Sequence, residues 1–271
     1  MDRLFFLTAR VLFFLTVVLF LSILAYLFFE AVEAYMADSS IDGLYPALSG
    51  SVSLVLLSVL FAFPLGVATA IYAELYAGAL FARVVDISFS ILAATPSIVI
   101  GLFGFSTLLL LHRYFPELRG SLLCASVTLS VLILPYIVKS VQRGLRETPG
   151  EYISMAYALG ASKEDILVRV MLPHAVGHIK RGVFLAIARS AEDTAVIMLT
   201  GAVASYGFVD ALLSPFEALP FHIYYMSASY ADESELGAIY ISATMLIALS
   251  SLFIYLSGAL SERAKGRVWS V

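Results

Sequence analysis

Three charged side chains, Arg189, Glu192 and Asp193, stand together in the otherwise apolar stretch Gly182 to Thr200. A charge at the centre of a bilayer costs about 2.5–3.5 kcal/mol on insertion scales, so it is found paired or facing water and marks a pathway, a proton relay or a lock between helices. At about 100° per residue in a single helix, Gly182, Leu185, Arg189, Glu192, Asp193, Val196 and Thr200 share one face. Glu192 and Asp193 follow Arg189 by three and four residues, so either carboxylate can reach the guanidinium within the helix. The stripe supports two readings: a dry lock between helices, or the lining of a translocation path.

Other candidate chemistry is thin. Ser190 and Asp193 have no convincing catalytic partner in the chain. His174 and His178 have the i, i+4 spacing of zinc ligands but no third ligand nearby, so no metal is expected. The single cysteine, Cys124, lies in an apolar run and reads as a small buried apolar residue. No Gly-x-x-x-x-Gly-Lys-Ser/Thr loop occurs, so the chain is not expected to hydrolyse ATP itself.

The elements that hold the charged stripe follow from composition. Of 271 residues, 61% are hydrophobic and 13% charged, and the mean hydropathy is +0.95, values of an integral membrane protein. Val11–Phe29, Gly43–Ala73, Ile87–His112, Gly120–Val138 and Leu236–Ser261 contain no Asp, Glu, Lys or Arg, and each is long enough to span a bilayer. Gly182–Ala204 joins them once its charges are masked, giving six transmembrane helices in an all-α fold. The runs do not alternate as strands of a membrane barrel do. The first run exceeds the usual apolar length of a signal peptide and reads as a retained anchor.

Basic residues orient the chain. With the N-terminus inside, thirteen of the 16 lie on cytoplasmic segments: Arg3, Arg10, Arg83, Lys139, Arg143, Arg146, Lys163, Arg169, Lys180, Arg181, Arg263, Lys265 and Arg267. The outer segments 30–42 and 205–235 hold acids and no Lys or Arg, so both termini are expected in the cytoplasm. The net charge of -4 argues against nucleic-acid binding. The expected division is residues 1–50 for the first helix and outer segment, 51–261 for the core, with a cytoplasmic loop at 143–181, and 262–271 for a cytoplasmic tail.

Two places interrupt the helical pattern. Pro96 removes a backbone donor in Thr95-Pro-Ser-Ile-Val-Ile-Gly101, a feature tolerated in membranes where protein or a water-filled cavity satisfies the freed groups. Pro135 reads as a simple kink. In the long inner loop, Thr148-Pro-Gly-Glu151 predicts a capping box that starts a short helix, and Gly160 is suited to its left-handed end. Ser162 and Asp165 predict a second capping box, for a helix ending before Pro173. Two short capped helices in a cytoplasmic loop predict a docking element.

That loop resembles the EAA loop of ABC importer permeases, in which Glu-Ala-Ala is followed by Gly and then by Ile-x-Leu-Pro. Ser154-Met-Ala156, Gly160 and Val170-Met-Leu-Pro173 stand at the matching spacing, with Ser154 where the family usually has glutamate and Met155 in place of alanine. Glu151 lies on a neighbouring face. Pro96-Ser-Ile-Val-Ile-Gly-Leu-Phe-Gly104 and Arg189-Ser-Ala-Glu-Asp-Thr194 resemble segments of phosphate importer permeases of the PstA type, with the PstC type as second choice. Phe63-Pro-Leu-Gly66 adds a weaker match. Glu192 replaces a family glycine, and Asp193 takes the place of a glutamate.

The resemblance implies a type I ABC importer permease (MetI-like) fold in the cell membrane and a role as a non-catalytic subunit for phosphate import. Arg189, Glu192, Asp193, Thr200, Pro96 and Ser97 would then line the path. Ser154, Ala156, Leu159, Gly160, Ala161 and Pro173 would couple it to an ATPase. The implied partners are two copies of an ATP-binding ABC subunit, a second related permease, an extracytoplasmic phosphate-binding protein and the lipid bilayer. ATP and Mg would sit on the ATPase, with no cofactor on this chain. The alternatives are another oxyanion (molybdate, tungstate or sulfate), a proton-coupled secondary carrier using Glu192 and Asp193, and an intramembrane enzyme.

Overall fold

The computed structural model describes residues 2–37, 43–116, 119–204, 207–230 and 233–268. Its helices are α1 Asp2–Met36, α2 Leu44–Ile71, α3 Ala79–Ala94, α4 Ser97–His112, α5 Leu122–Arg146, α6 Gly150–Ala158, α7 Lys163–Ile166, α8 Leu172–Glu192, α9 Ala195–Thr200, α10 Leu219–Ser229 and α11 Glu233–Val268. Four of them, α1, α2, α5 and α11, are long and apolar enough to cross a membrane unaided. The α3–α4 pair meets the same test only when taken together. The sixth expected span is α8, whose charges keep it below that apolarity.

α5 is the central post. Its apolar window is 61% buried, against 0% for α1. Ile133, Ile137, Val138, Val141 and Leu145 of α5 pack with Ala62 and Ala70 of α2 and Ala175 and Ala186 of α8. Toward the other end, Leu122, Ala125, Leu129 and Leu132 meet Leu54, Ile100, Val196, Ile197 and Phe216. In lipid, such contacts are driven by close packing rather than by escape from water, so small residues sit at the crossings. A Cβ on Gly66 would lie 2.8 Å from Ile137, one on Gly144 2.8 Å from Ala175, and one on Gly182 2.5 Å from Ser140. Those glycines set how closely α2 and α8 lie against α5.

The first-turn donors of α5 are all satisfied, as buried backbone groups require. Ser121 N–H donates to Thr200 O, Leu122 N–H to Ser214 O and Leu123 N–H to Leu212 O, at 3.1, 3.0 and 2.8 Å. Cys124 N–H donates to the Ser121 hydroxyl, and Ala125 N–H to Ser121 O. Thr200, Leu212 and Ser214 thereby hold the start of α5 from outside the helix. Gly201 touches Ser121 so closely that a Cβ there would lie 2.3 Å from its nitrogen.

Several expectations are corrected. The third span is a corner: α3 and α4 meet at 101°, with Thr95 and Pro96 extended between them. Proline disfavours helical geometry in the residue before it, and here both residues leave the helix. The charged helix expected from Gly182 starts at Leu172, and Pro173 does not stop the element before it. Instead α7 runs through a π-helical turn, Leu167–Met171, into α8, and Pro173 sits in the first turn, where no intrahelical donor is needed. Thr148 does not cap α6; its hydroxyl donates back to Gly144 O, and Pro149 holds the cap position. The outer segment 205–235 contains a helix, α10. The expected tail continues α11 as helix to Val268, and residues 269–271 lie outside the described residues.

Candidate functional site

Asp193 ends α8. Its backbone is extended (φ −76°, ψ 122°), which breaks the single helix expected through Thr200 and separates the stripe into two parts. The carboxylate is 2% exposed and is satisfied on both oxygens. Oδ2 takes the Arg189 guanidinium at 3.1 Å, and Oδ1 accepts the Val196 N–H at 2.9 Å. The second contact caps α9, the usual way in which a short acidic side chain satisfies an orphan donor. One buried carboxylate therefore closes two joints, an ion pair behind it and a helix start ahead of it.

Of the two carboxylates within reach of Arg189, only Asp193 is used. Glu192 is exposed, because the break follows it and its side chain stays on the outer surface of α8. Arg189 is itself 32% exposed, so the pair has one dry end and one accessible end. Thr200 is fully buried, and its hydroxyl returns to Val196 O at 2.7 Å. Gly101 of α4 rests on α9, where a Cβ would lie 3.1 Å from Ala195 O and from Val196 Cα. The Pro96 corner, exposed at Pro96 and half-buried at Ser97, is thus held through α4 against the element that Asp193 starts. Among the described residues no hydrogen bond or ion pair joins Pro96 or Ser97 to Arg189.

The second predicted site is the inner loop. Gly160 has φ +80°, the left-handed geometry expected at the end of α6, and nothing lies within 4 Å of where a Cβ would be. Ser162 and Asp165 form the expected capping box: Asp165 N–H donates to Ser162 Oγ at 3.1 Å, and Ser162 N–H donates back to Asp165 Oδ2 at 3.4 Å. The hydrogen bonds from Ser162, first the hydroxyl and then the backbone, hold the Asp165 carboxyl below its ordinary pKa, with Arg169 adding attraction. Ser154, at the family's glutamate position, donates its hydroxyl to Gly150 O on its own helix. Ala156 and Ala161 pack on the inner core, whereas Leu159 projects at 88% exposure beside the exposed Met155, Tyr152 and Tyr157. Leu159, Gly160, Ala161, Ile166 and Val170 edge a groove of about 430 Å³. His174 and His178 gather no metal set: among the described residues no group of three or more His, Cys, Asp or Glu converges, and His178 pairs with Glu147 at 3.1 Å.

A family model described as binding-protein-dependent transport system inner membrane component matches residues 62–267. The chain belongs to this family. It is accordingly a multi-pass inner-membrane transport component and not itself a catalyst, and the matched region contains both the charged joint and the loop that carries α6 and α7. Among relatives of this transport component, the phosphate transport system permease protein PstA of Mycobacterium leprae is 34% identical over 196 residues, 72% of this chain and 63% of the relative. The chain's match therefore spans less than two thirds of that relative's length. A probable phosphate transport system permease protein PstA of Methanocaldococcus jannaschii is 26% identical over 82% of this chain and 78% of its own.

Solved structures share the fold of this chain. An amino acid ABC transporter chain superposes with a TM-score of 0.59 at 15% identity, covering 90% of this chain and 98% of that one. A chain of the inward-facing MetNI methionine ABC transporter gives 0.58 at 17% identity, over 79% and 93%. The type I, MetI-like expectation is thereby met at the level of fold.

A second buried ionisable pair is formed by Glu217 and His222. His222 Nδ1 lies 2.7 Å from Glu217 Oε1, both side chains are at most 10% exposed, and they stand where α10 meets the start of α2. Only an acid and a histidine five residues apart in an apolar outer segment could have signalled it.

Proposed function

We propose that this chain is the membrane-spanning permease subunit of an ATP-driven phosphate importer, forming half of the path with a second related permease. Two ATP-binding subunits drive it from the inside, and a phosphate-binding protein delivers substrate from the outside. The observation that carries this reading is the half-accessible Arg189–Asp193 joint at a helix break, in a chain whose relatives are named as phosphate permeases.

The chemistry suits an oxyanion in transit. A guanidinium presents planar paired donors that match the oxygens of phosphate, and it stays charged at any physiological pH. Asp193 occupies part of that fork and offsets its charge, and the exposed Glu192 opposes lasting retention. Arg189 thus attracts a passing anion without trapping it, while the external protein supplies selectivity. Pro96 and Ser97 flank the path from the α3–α4 corner. Thr200 supports it from behind through its bond to Val196.

ATP and Mg belong to the partner ATPase, which docks on α6 and α7. The projecting Leu159 enters a groove of that subunit, Gly160 and Ala161 allow close approach, and Ser154 and Ala156 form the rest of the contact. Pro173 opens α8, so movement at the dock passes along the continuous Leu167–Met171 turn toward Asp193. The test is to purify the chain with its partners and measure ATP hydrolysis with an external binding protein present. Hydrolysis stimulated by phosphate, and not by molybdate or sulfate, is expected. Uptake that follows a proton gradient and ignores vanadate contradicts the reading.

A further inference from the structure

α2 is tied at both ends to elements that the path itself does not contain. At its inner end it finishes in a π-helical turn, Tyr72–Tyr76, where Glu74 accepts two hydrogen bonds from Arg146: Nε to Oε2 at 2.9 Å and Nη2 to Oε1 at 2.6 Å. Lys163 Nζ donates to the Leu75 carbonyl and lies 4.7 Å from the centroid of the Tyr76 ring. The Tyr76 hydroxyl donates to Glu164 Oε1 at 3.3 Å. The turn is therefore gripped from the entrance of the cytoplasmic segment, at Arg146, and again from its second short helix, at Lys163 and Glu164.

At the outer end the joint is tighter. The Ser51 hydroxyl accepts the Leu219 N–H at 2.7 Å, in a site where Ser51 is 3% exposed. Gly50 lies against Glu217 so closely that a Cβ would fall 1.8 Å from its carbonyl oxygen. From Ser51 to the π-helical turn α2 runs without a break through Ile71, roughly 31 Å at 1.5 Å per residue.

We propose that α2 is the strut that carries displacement of the docking element α6–α7 across the membrane to α10, with Tyr76, Lys163 and Glu164 as its inner joint and Ser51–Leu219 as its outer one. The inference rests on the importer reading and names a route that this reading does not require. Isolated surface ion pairs hold little, but an unbroken helix bound at several points on each end moves with whatever holds it. α8 carries the same displacement to Arg189 and Asp193. α2 carries it to the outer face, and by reciprocity it carries events at that face back to the ATPase.

The test uses the complete complex in lipid vesicles, with ATP inside and phosphate-loaded binding protein outside. In the Glu74→Gln/Tyr76→Leu variant, whose changes lie on the π-helical turn and off the docking helices, the complex should assemble and keep its basal ATP hydrolysis, while stimulation by the loaded binding protein falls by about fivefold or more. Lys163→Arg alone should keep most of the stimulation, because the donor to Leu75 and the cation over the ring remain. Undiminished stimulation in the double variant overturns the strut. Should the double variant not assemble, Tyr76→Phe, which removes one hydroxyl, decides: partial loss supports the strut and no loss overturns it. Absence of stimulation in the wild-type complex overturns the importer reading itself, a result distinct from failure of the strut alone.

Discussion

The charged joint of α8 and the tip at α6–α7, the proposed dock, are built from similar residues and behave oppositely. In the joint, Asp193 is almost completely buried, each oxygen has a partner, and a helix start depends on it. At the tip, Asp165 is accessible, its ion pair with Arg169 spans 3.4 Å, and large apolar side chains project outward. Burial decides what a carboxylate does. In the joint it fixes the geometry of a helix break, and at the tip it starts a short helix beside exposed apolar side chains.

Removing one member of the joint is the sharpest way to break this contrast. Arg189→Ala leaves a buried carboxylate without its cation and should cost roughly 3–5 kcal/mol, read as a fall in thermal midpoint of the purified chain in detergent. Removing both charges in Arg189→Gln/Asp193→Asn should cost much less than the sum of the single changes, because no unpaired charge remains buried. Additive losses would show that the two side chains do not act as a pair.

Loss of the cap at the tip is a smaller insult. Ser162→Ala should weaken α7 by about 1 kcal/mol, seen as faster hydrogen exchange confined to residues 162–171. The same cap responds to pH with a definite sign. Because the Asp165 pKa is lowered in the folded chain, its contribution is complete above the ordinary aspartate value and fades as pH falls through the lowered one. Protection of α7 should thus be flat near neutrality and drop only in acid; a loss on going to alkaline pH would contradict the assignment.

The smallest effect on the fold is expected at Leu159. Leu159→Ser should change stability by no more than about 0.5 kcal/mol, since the side chain packs on almost nothing in this chain. It should nevertheless reduce recovery of the ATPase subunit in co-purification. Full recovery would remove α6 from the docking surface. Gly160→Asp sharpens the same point: it forces a side chain onto a φ of +80° and into open space, so uptake should fail while ATP hydrolysis persists.

Much of this was legible in the sequence because it depends on local or bilayer-scale physics. The uncharged runs give the spans, Gly160 its left-handed turn, and Ser162 with Asp165 their box, each settled within a few residues. The choice of Asp193 over Glu192 was legible only as reach, since both carboxylates can meet Arg189 in a helix. The break that selects Asp193 depends on Val196 needing an acceptor, and on Thr200, Leu212 and Ser214 being pinned to the start of α5. Those are contacts between residues some 80 to 90 positions apart. Pro173 misled in the other direction. Proline usually ends a helix, but a π-helical turn ahead of it lets α7 continue into α8 with Pro173 in its first turn. The 101° corner at Pro96 was likewise hidden, because a proline in an apolar run indicates an interruption but not its angle.

The most direct test of the central claim is phosphate uptake by the neutral double variant Arg189→Gln/Asp193→Asn, with assembly of the complex verified by co-purification. If the joint lines the path, uptake falls by tenfold or more, about 1.4 kcal/mol or more in the transport barrier, while the complex stays intact. Wild-type uptake by the assembled variant would show that Arg189 and Asp193 only lock helices.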